Sequence, residues 1–220
     1  MQRPIIKLLD VSMNYEDNII FSNVNFEIQP GEIIAAKGTI GSGKTTLLNL
    51  ICGIIRPTSG RIYVDKYDIT KLPSTKLSKL RANIFGIVPQ KTNLIPEISI
   101  KQNLELPLML NGINKEKRNS IVDQTLDKLG LTTLSDRLAG TLSVGESEIV
   151  SIARSMVSDP PILLMDEPTE GLDPIISEMI LSLIRGDSIM NQKTIFITTH
   201  DERILNIANR IINVKENMNL

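Results

Sequence analysis

Hydrophobic and polar positions change their period several times along the chain. From 4 to 37 the pattern is short and β-like, with apolar Val24, Phe26 and Ile28 at every second position. A Pro30-Gly31 pair predicts a turn before the last apolar run of this region. The amino-terminal region is therefore predicted to be a set of strands.

Beyond residue 37 the pattern alternates between helical and strand-like runs. Helical spacing predicts helices in 43–54, in several stretches of 97–157, in 173–186 and early in 202–214. Short apolar runs predict strands in 60–70, 83–90, 160–168, 193–200 and at the end of 202–214. Strands alternating with helices are typical of a parallel α/β sheet, with the helical middle as an insertion.

Composition narrows the class of protein. The 220 residues are 41% hydrophobic and 22% charged, which is typical of one soluble globular domain, with or without a small subdomain. Lys and Arg total 24 against 25 acidic residues, so no basic excess suggests nucleic-acid binding. The single cysteine, Cys52, excludes an intrachain disulfide and is predicted to be buried. No apolar run reaches membrane-spanning length and the start does not resemble a secretory signal, so we expect a cytoplasmic protein.

A glycine-rich loop stands between an apolar strand and a helix. The sequence GTIGSGKTT fits G-x-x-x-x-G-K-[ST], the phosphate-binding P-loop pattern. Its glycines let backbone N–H groups face a phosphate, the lysine reaches the β- and γ-phosphates, and the following threonine offers a hydroxyl to Mg²⁺. The nucleotide-binding residues predicted here are Gly38, Thr39, Ile40, Gly41, Ser42, Gly43, Lys44, Thr45 and Thr46. Lys37, just before the loop, either adds positive potential near the phosphates or points to solvent.

An acidic pair follows the apolar run ILLM. Asp166 and Glu167 would lie at the carboxyl end of a strand buried on both faces, where α/β sheets bind their ligands. Beside a P-loop, Asp166 is predicted to hold Mg²⁺ through water and Glu167 to orient or deprotonate the attacking water. The alternative is a turn with a solvated surface charge.

Two further polar residues follow predicted strands in the same way. His200, the only histidine, comes after TIFITT, and Gln90 comes after IFGIVP. A lone histidine is more often structural than catalytic. Because strand ends meet at one edge of a parallel sheet, both side chains are predicted to lie where the γ-phosphate of a nucleotide can be sensed.

The segment TLSVGESEIVSIARSM predicts a helix with an unusual first turn. Ser143 and Glu146 form a capping-box pattern, and an apolar stripe follows them. Capping alone does not require Gly145, which costs about 1 kcal/mol inside a helix. An anion approaching the backbone would require it, so the helix end is predicted to be both a capped terminus and an anion site.

Together, and in this order, these motifs resemble the ATP-binding subunit of an ABC transporter. The resemblance covers essentially the whole chain and identifies the P-loop as Walker A, Asp166 as the Walker B aspartate and Glu167 as the catalytic glutamate. His200 resembles the switch histidine, and Gln90 the Q-loop glutamine that links nucleotide and metal to a membrane partner. It implies ATP and Mg²⁺ as ligands, with Thr45, Gln90 and Asp166 near the metal and with Lys44, Glu167, His200 and Gln90 active in hydrolysis.

The resemblance also assigns roles to residues whose own sequence signal is weaker. Tyr15 resembles the aromatic residue that stacks on adenine, although it also fits as an ordinary strand residue. Asp173 resembles the D-loop aspartate and also fits as a helix N-cap before Pro174. The signature segment, which in this family faces ATP held by the opposite subunit, corresponds to Leu142, Ser143, Val144, Gly145 and Glu146.

The family fold implied is an α/β P-loop NTPase core with a small antiparallel β subdomain and a helical signature subdomain. The core and β subdomain would occupy about 1–90 and 158–220, and the helical subdomain about 91–157. The implied partners are a second copy of the chain and an integral membrane permease, with no nucleic acid, which puts the protein at the inner face of the cell membrane.

Several positions depart from the family pattern. Val144 replaces a glycine, Glu146 a glutamine and Ile149 an arginine, and the sequence TEGLD stands where related chains carry TGNLD. Within the family the chain resembles ATPases of lipoprotein-releasing, macrolide and antimicrobial-peptide export systems and the related cell-division ATPase. We therefore expect an ATPase that powers a separate permease, with regulation of a cell-wall or cell-division complex as the alternative. A soluble ATPase acting on DNA or ribosomes, or a module that binds nucleotide without hydrolysis, agrees less well with the sequence.

Overall fold

The computed structural model describes residues 3–16, 18–39, 41–186 and 193–214, which contain two sheets. The first sheet is antiparallel and has the strand order β2-β1-β4-β5. Its strands are β1 (Ile6–Tyr15), β2 (Asn18–Ile28), β4 (Ser59–Val64) and β5 (Tyr67–Asp68). The predicted antiparallel sheet of amino-terminal strands is thereby confirmed, and Val24 and Ile28 are buried in it as their alternation predicts.

The second sheet is parallel and has the order β6-β7-β8-β3-β9. Its strands are β3 (Ile33–Lys37), β6 (Phe85–Val88), β7 (Ile162–Asp166), β8 (Thr194–Thr198) and β9 (Arg210–Asn213). Every residue of β7 and β8 is buried, as expected for strands covered on both faces. The carboxyl ends of β7 and β8 meet, since Asp166 lies opposite Thr198 in the register.

Helices surround this sheet. They are α1 (Lys44–Ile51), α2 (Ser74–Ile84), α3 (Ile100–Leu110), α4 (Lys115–Lys128), α5 (Val144–Met156), α6 (Pro174–Arg185) and α7 (Glu202–Ile207). Helices α3, α4 and α5 share a hydrophobic cluster that includes Leu104, Val122 and Ile149. They fall within 91–157, but the boundary of a helical subdomain there stays a prediction.

Helix α2 is the element that the sequence pattern did not predict. It buries Leu77 and Leu80 only, and no side chain caps it after Pro73. A helix with so narrow an apolar stripe gives a weak periodic signal. The strand predicted at 83–90 is correspondingly shorter, because Asn83 and Ile84 belong to α2.

Cys52 lies in the largest hydrophobic cluster, beside the end of α1, and is fully buried as predicted. Burial raises the pKa of its thiol to about 11, so the side chain is an uncharged packing group. Among the helices in the described part of the chain, none combines the length and the apolar character needed to cross a membrane.

Candidate active site

The glycine-rich loop connects β3 to α1 with backbone geometry that needs glycine. Gly41 and Gly43 have φ angles of 75° and 96° in the left-handed region. A Cβ atom at Gly43 would lie 2.7 Å from the side chains of Ile20 and Phe21, so the loop packs directly on β2. Ile40, which the motif also includes, lies outside the described residues.

Lys44, the first residue of α1, holds its ammonium group at the mouth of this loop. Its Nζ donates to the carbonyl of Gly38 at 2.8 Å and of Thr39 at 3.3 Å, and lies 3.1 Å from Oε1 of Glu167. The side chain is only 10% exposed. One cation is therefore fixed between the loop and the end of β7, where an incoming phosphate would meet it.

Asp166 ends β7 with its carboxylate almost fully buried. Its Oδ2 accepts a hydrogen bond of 2.7 Å from the Thr45 hydroxyl, and its Oδ1 accepts one from the Thr198 hydroxyl on β8. These bonds tie the first turn of α1 to two strands of the sheet. Thr198 was not predicted as a site residue, because the sequence shows there only a hydroxyl at the end of a buried apolar strand.

Glu167 follows in a left-handed conformation, with φ of 50°. Its backbone N–H donates to the carbonyl of Thr198 at 2.9 Å, which fixes the turn. The carboxylate lies between Lys44 and His200, with 2.9 Å between Oε2 and Nδ1 of His200. In the described ranges, positive φ is shared by five other non-glycine residues, so the contacts of Glu167 with Lys44 and His200, and not its backbone angle, make it a candidate for a chemical role.

His200 supplies one side of the same cluster while remaining open to solvent. Its backbone N–H donates to Oε2 of Glu167 at 3.2 Å, and its side chain is 61% exposed. Nearby, Thr169 donates to Asp201 at 2.8 Å, which joins the segments after β7 and β8. The side-chain hydrogen bond from Arg203 is the main cause that lowers the pKa of Asp201 to about 2, so the carboxylate that accepts from Thr169 is ionised at neutral pH.

The residues predicted to hold a metal offer ligands of one chemical kind. Thr45, Gln90 and Asp166 carry a hydroxyl, an amide carbonyl and a carboxylate, all hard oxygen donors of the type that Mg²⁺ binds. In the described ranges no cluster of three or more His, Cys, Asp or Glu is arranged to hold a metal. Three oxygen donors of this kind fit an ion that keeps several waters and shares its ligands with substrate phosphates.

A cleft of about 270 Å³ brings these groups together. Its lining consists of Ile20, Gly41, Ser42, Gly43, Lys44, Thr45, Thr46, Gln90, Asp166, Glu167, Glu170 and His200. Two members, Ile20 and Glu170, were not predicted as site residues. Tyr15 lies outside this lining, half exposed at the end of β1, so its contact with a nucleotide base stays a prediction.

The predicted signature segment forms the start of α5. Ser143 is the N-cap, its hydroxyl accepts from the Glu146 N–H, and the Glu146 carboxylate accepts from the Ser143 N–H at 2.8 Å. Arg137 also pairs with Glu146 at 2.9 Å. The predicted capping box is confirmed. Val144 is 75% exposed, whereas Leu142 packs against the cluster of α3 to α5.

Gly145 has a packing reason that the sequence did not show. A Cβ atom there would lie 3.0 Å from Cγ1 of Ile176 on α6. Close approach of α5 and α6 therefore favours glycine by itself, so the predicted anion is not needed to explain Gly145. Asp173 caps α6 by accepting from the N–H groups of Ile175 and Ile176, so the predicted N-cap is confirmed while its D-loop role stays a prediction.

Two open sequence questions are answered by contacts. Lys37 pairs with Glu202 at 2.7 Å on an exposed surface and is not among the residues that line the cleft. Ile149, at the position of a common family arginine, is 4% exposed and packs in the cluster of α3 to α5.

A wider groove, of about 680 Å³, lies elsewhere, between α4, α5 and α6. Its lining is mainly apolar and includes Leu129, Ile175 and Met179. Lys128, Glu178 and Ser182 also line this groove, but it contains neither the phosphate loop nor the Asp166-Glu167 pair. The cleft at the strand ends, which contains both, is therefore the candidate active site.

Comparison with known proteins agrees with this geometry. A family model described as ABC transporter matches residues 21–170, a stretch that contains both the phosphate loop and the Asp166-Glu167 pair. The chain is 34% identical to the lipoprotein-releasing system ATP-binding protein LolD of Saccharophagus degradans, over 96% of this chain and 94% of that protein. It is 35% identical to the macrolide export ATP-binding/permease protein MacB of Campylobacter jejuni, over 96% of this chain and 33% of that protein.

A solved structure shows the same fold. The ATP-binding cassette MJ0796 of Methanocaldococcus jannaschii, described as a dimer in a post-hydrolysis state bound to ADP and Pi, matches with a TM-score of 0.88. The two chains are 33% identical, and the match covers 96% of this chain and 95% of that one.

Proposed function

The chain belongs to the ABC transporter family, and from this premise we propose that it binds and hydrolyses ATP to power a separate membrane permease. The observation that carries the proposal is the convergence of Lys44, Asp166, Glu167 and His200 on one cleft beside the phosphate loop. Glu167 contacts both Lys44 and His200, which supports a single substrate meeting all three groups.

Binding would begin at the loop. Backbone N–H groups of 38–39 and 41–46 and the amino-terminal end of α1 would meet the phosphates, and the Lys44 ammonium would exchange the Gly38 carbonyl for phosphate oxygens. Thr45, Gln90 and Asp166 would hold Mg²⁺, which when bound neutralises charge on the β- and γ-phosphates.

Hydrolysis would use Glu167 and His200 together. Glu167 accepts a proton from a water whose oxygen attacks the γ-phosphorus, and the bond from that phosphorus to the bridging oxygen breaks to leave ADP and phosphate. His200 already contacts Glu167 and has an exposed ring, so it can meet the γ-phosphate or the attacking water from the open side.

The start of α5 would complete the site of a second copy. Its capped amino-terminal end is an anion-binding terminus, and Val144 is exposed in front of it. A two-fold pair of chains would place each α5 end against the nucleotide of the other chain, consistent with the dimer described for MJ0796.

The partner would be an integral membrane permease on which the chain sits at the cytoplasmic face. The relatives named for lipoprotein release and macrolide export support an exporter or a lipoprotein- or peptide-handling system. The division into a P-loop core, about 1–90 and 158–220, and a helical subdomain, about 91–157, belongs to the same proposal.

Hydrolysis is tested by comparing the wild-type chain with Glu167→Gln. Removing the base should lower ATP turnover by on the order of 10²-fold or more while ATP binding persists. Phosphate release and equilibrium nucleotide binding measure the two quantities separately. Near-normal turnover in Glu167→Gln would remove Glu167 from the role of base.

The partner is tested by tagging the chain in its own host, solubilising membranes gently and identifying the proteins that co-purify. A multi-span permease is the expected result. A cell-wall or cell-division partner would replace transport by regulation, and no membrane partner would contradict the coupling proposed here.

A further inference from the structure

Glu170 enters the cleft as an acidic residue that the motifs do not account for. It lies three positions after Glu167, and its backbone N–H donates to the Glu167 carbonyl at 3.1 Å. This turn places its side chain among the cleft-lining residues. It belongs to the TEGLD segment, where the sequence departs from TGNLD.

The side chain of Glu170 makes a single described hydrogen bond, to a residue far away in sequence. Its Oε2 accepts from Nε2 of Gln90 at 2.7 Å, which joins the segment after β7 to the segment after β6. An ionised carboxylate only accepts hydrogen bonds, so the group of the Gln90 amide that faces it must be NH₂. The carbonyl Oε1, on the other branch of the amide, is left without this contact.

That orientation matters because only the carbonyl of an amide can bind a cation. Gln90 shares the cleft with Thr45 and Asp166, which supply the other oxygen donors. With its amide rotated by 180°, Gln90 would present hydrogen atoms to a cation instead of an oxygen. The Glu170 contact joins two exposed side chains and favours one orientation of the Gln90 amide before the metal and nucleotide arrive.

We propose that Glu170 is a positioning residue that holds the Gln90 amide with its carbonyl oxygen available to the magnesium ion of bound ATP. The inference rests on the proposed function, since it needs a metal–nucleotide complex in the cleft. It assigns Glu170 no direct contact with substrate. Its effect is expected in the part of nucleotide affinity that depends on the metal.

The test is a double-mutant cycle on the full-length chain, read as the ratio of ATP affinity with Mg²⁺ to ATP affinity with EDTA. Glu170→Ala should lower this ratio by about tenfold, the size typical of losing a partner that orients a metal ligand. In a Gln90→Ala background the same substitution should change the ratio less than about twofold, because the residue it acts through is gone. Glu170→Gln should restore most of the ratio, since its side-chain carbonyl can still accept from Nε2 of Gln90.

A second measurement depends on neither ATP hydrolysis nor ATP affinity. Mn²⁺ bound with a non-hydrolysable ATP analogue should show an altered electron paramagnetic resonance spectrum in Glu170→Ala and a wild-type spectrum in Glu202→Ala. Glu202 is an exposed acid that pairs with Lys37, so the control removes the same charge outside the cleft lining.

Failure of the positioning role and failure of the proposed function would give different results. An unchanged ratio in Glu170→Ala, or an equal loss with and without Gln90, overturns the positioning role and leaves the proposed function standing. Absence of any metal-dependent ATP binding in the wild-type chain overturns the proposed function itself.

Discussion

The cleft at the ends of β7 and β8 and the amino-terminal end of α5 both present groups suited to phosphate, but this chain completes only one of them. In the cleft, Lys44, Asp166 and Glu167 all have partners within the chain and are nearly buried. At the end of α5, the capping box satisfies the helix itself, while Val144 is 75% exposed. We propose that the first region binds a nucleotide on its own, whereas the second acquires its role only when a second chain meets it.

The largest effect on ATP turnover should come from removing the Lys44 ammonium group from the cleft. Lys44→Ala should lower ATP turnover by on the order of 10²–10³-fold, because a positioned donor to developing phosphate charge is lost. Lys37→Ala is the matched control, since its exposed pair with Glu202 contributes little. We expect its turnover to stay within about twofold of wild type. Equal losses in both variants, measured by phosphate release, would contradict the distinction between the two lysines.

The next largest effect is expected on the stability of the protein and comes from a buried residue of α5. Glu148 is 7% exposed, and burial raises its pKa from 4.5 to about 7. Between these pH values the folded chain keeps a proton that the unfolded chain has released, so the stability contribution falls as pH rises and levels off above 7.

Glu148→Gln should remove this slope because the amide does not titrate. At pH 8 its free energy of unfolding should exceed that of wild type by on the order of 3 kcal/mol, and the difference should shrink towards pH 4.5. Denaturant unfolding at several pH values measures the difference. Glu116→Gln, in the first turn of α4, is the exposed control. A wild-type slope in Glu148→Gln would show that another group causes it.

The sequence predicts features that depend on adjacent residues better than contacts between distant segments. The P-loop, the Asp166-Glu167 pair and the sheet strands carry local signals, since each depends on a short run of adjacent residues. Helix α2 has few buried positions and no side-chain cap, so its local signal is weak. The contacts Gln90–Glu170 and Lys37–Glu202 join distant segments and follow only from the topology.

Gly145 illustrates the same limit and carries the smallest effect. Alanine there gains helix propensity of about 1 kcal/mol but meets Cγ1 of Ile176 at 3.0 Å, so we expect a stability change below about 1 kcal/mol. If packing alone selects the glycine, Gly145→Ala should hydrolyse ATP normally once Ile176→Ala removes Cγ1 and Cγ2 from the contact. If an anion also approaches, turnover should remain reduced in the double variant, and that is our prediction.

The measurement that decides whether two chains share each site is a mixing experiment with Lys44→Ala and Ser143→Asp. Aspartate preserves the N-cap of α5 but opposes an incoming phosphate, so each variant should fold and each alone should be nearly inactive. In a mixed pair, the intact cleft of one chain meets the intact α5 end of the other. An equal mixture should therefore recover roughly a quarter of wild-type turnover if the pairs form at random with two-fold symmetry. Turnover no higher than that of the separate variants would contradict a site built from two chains.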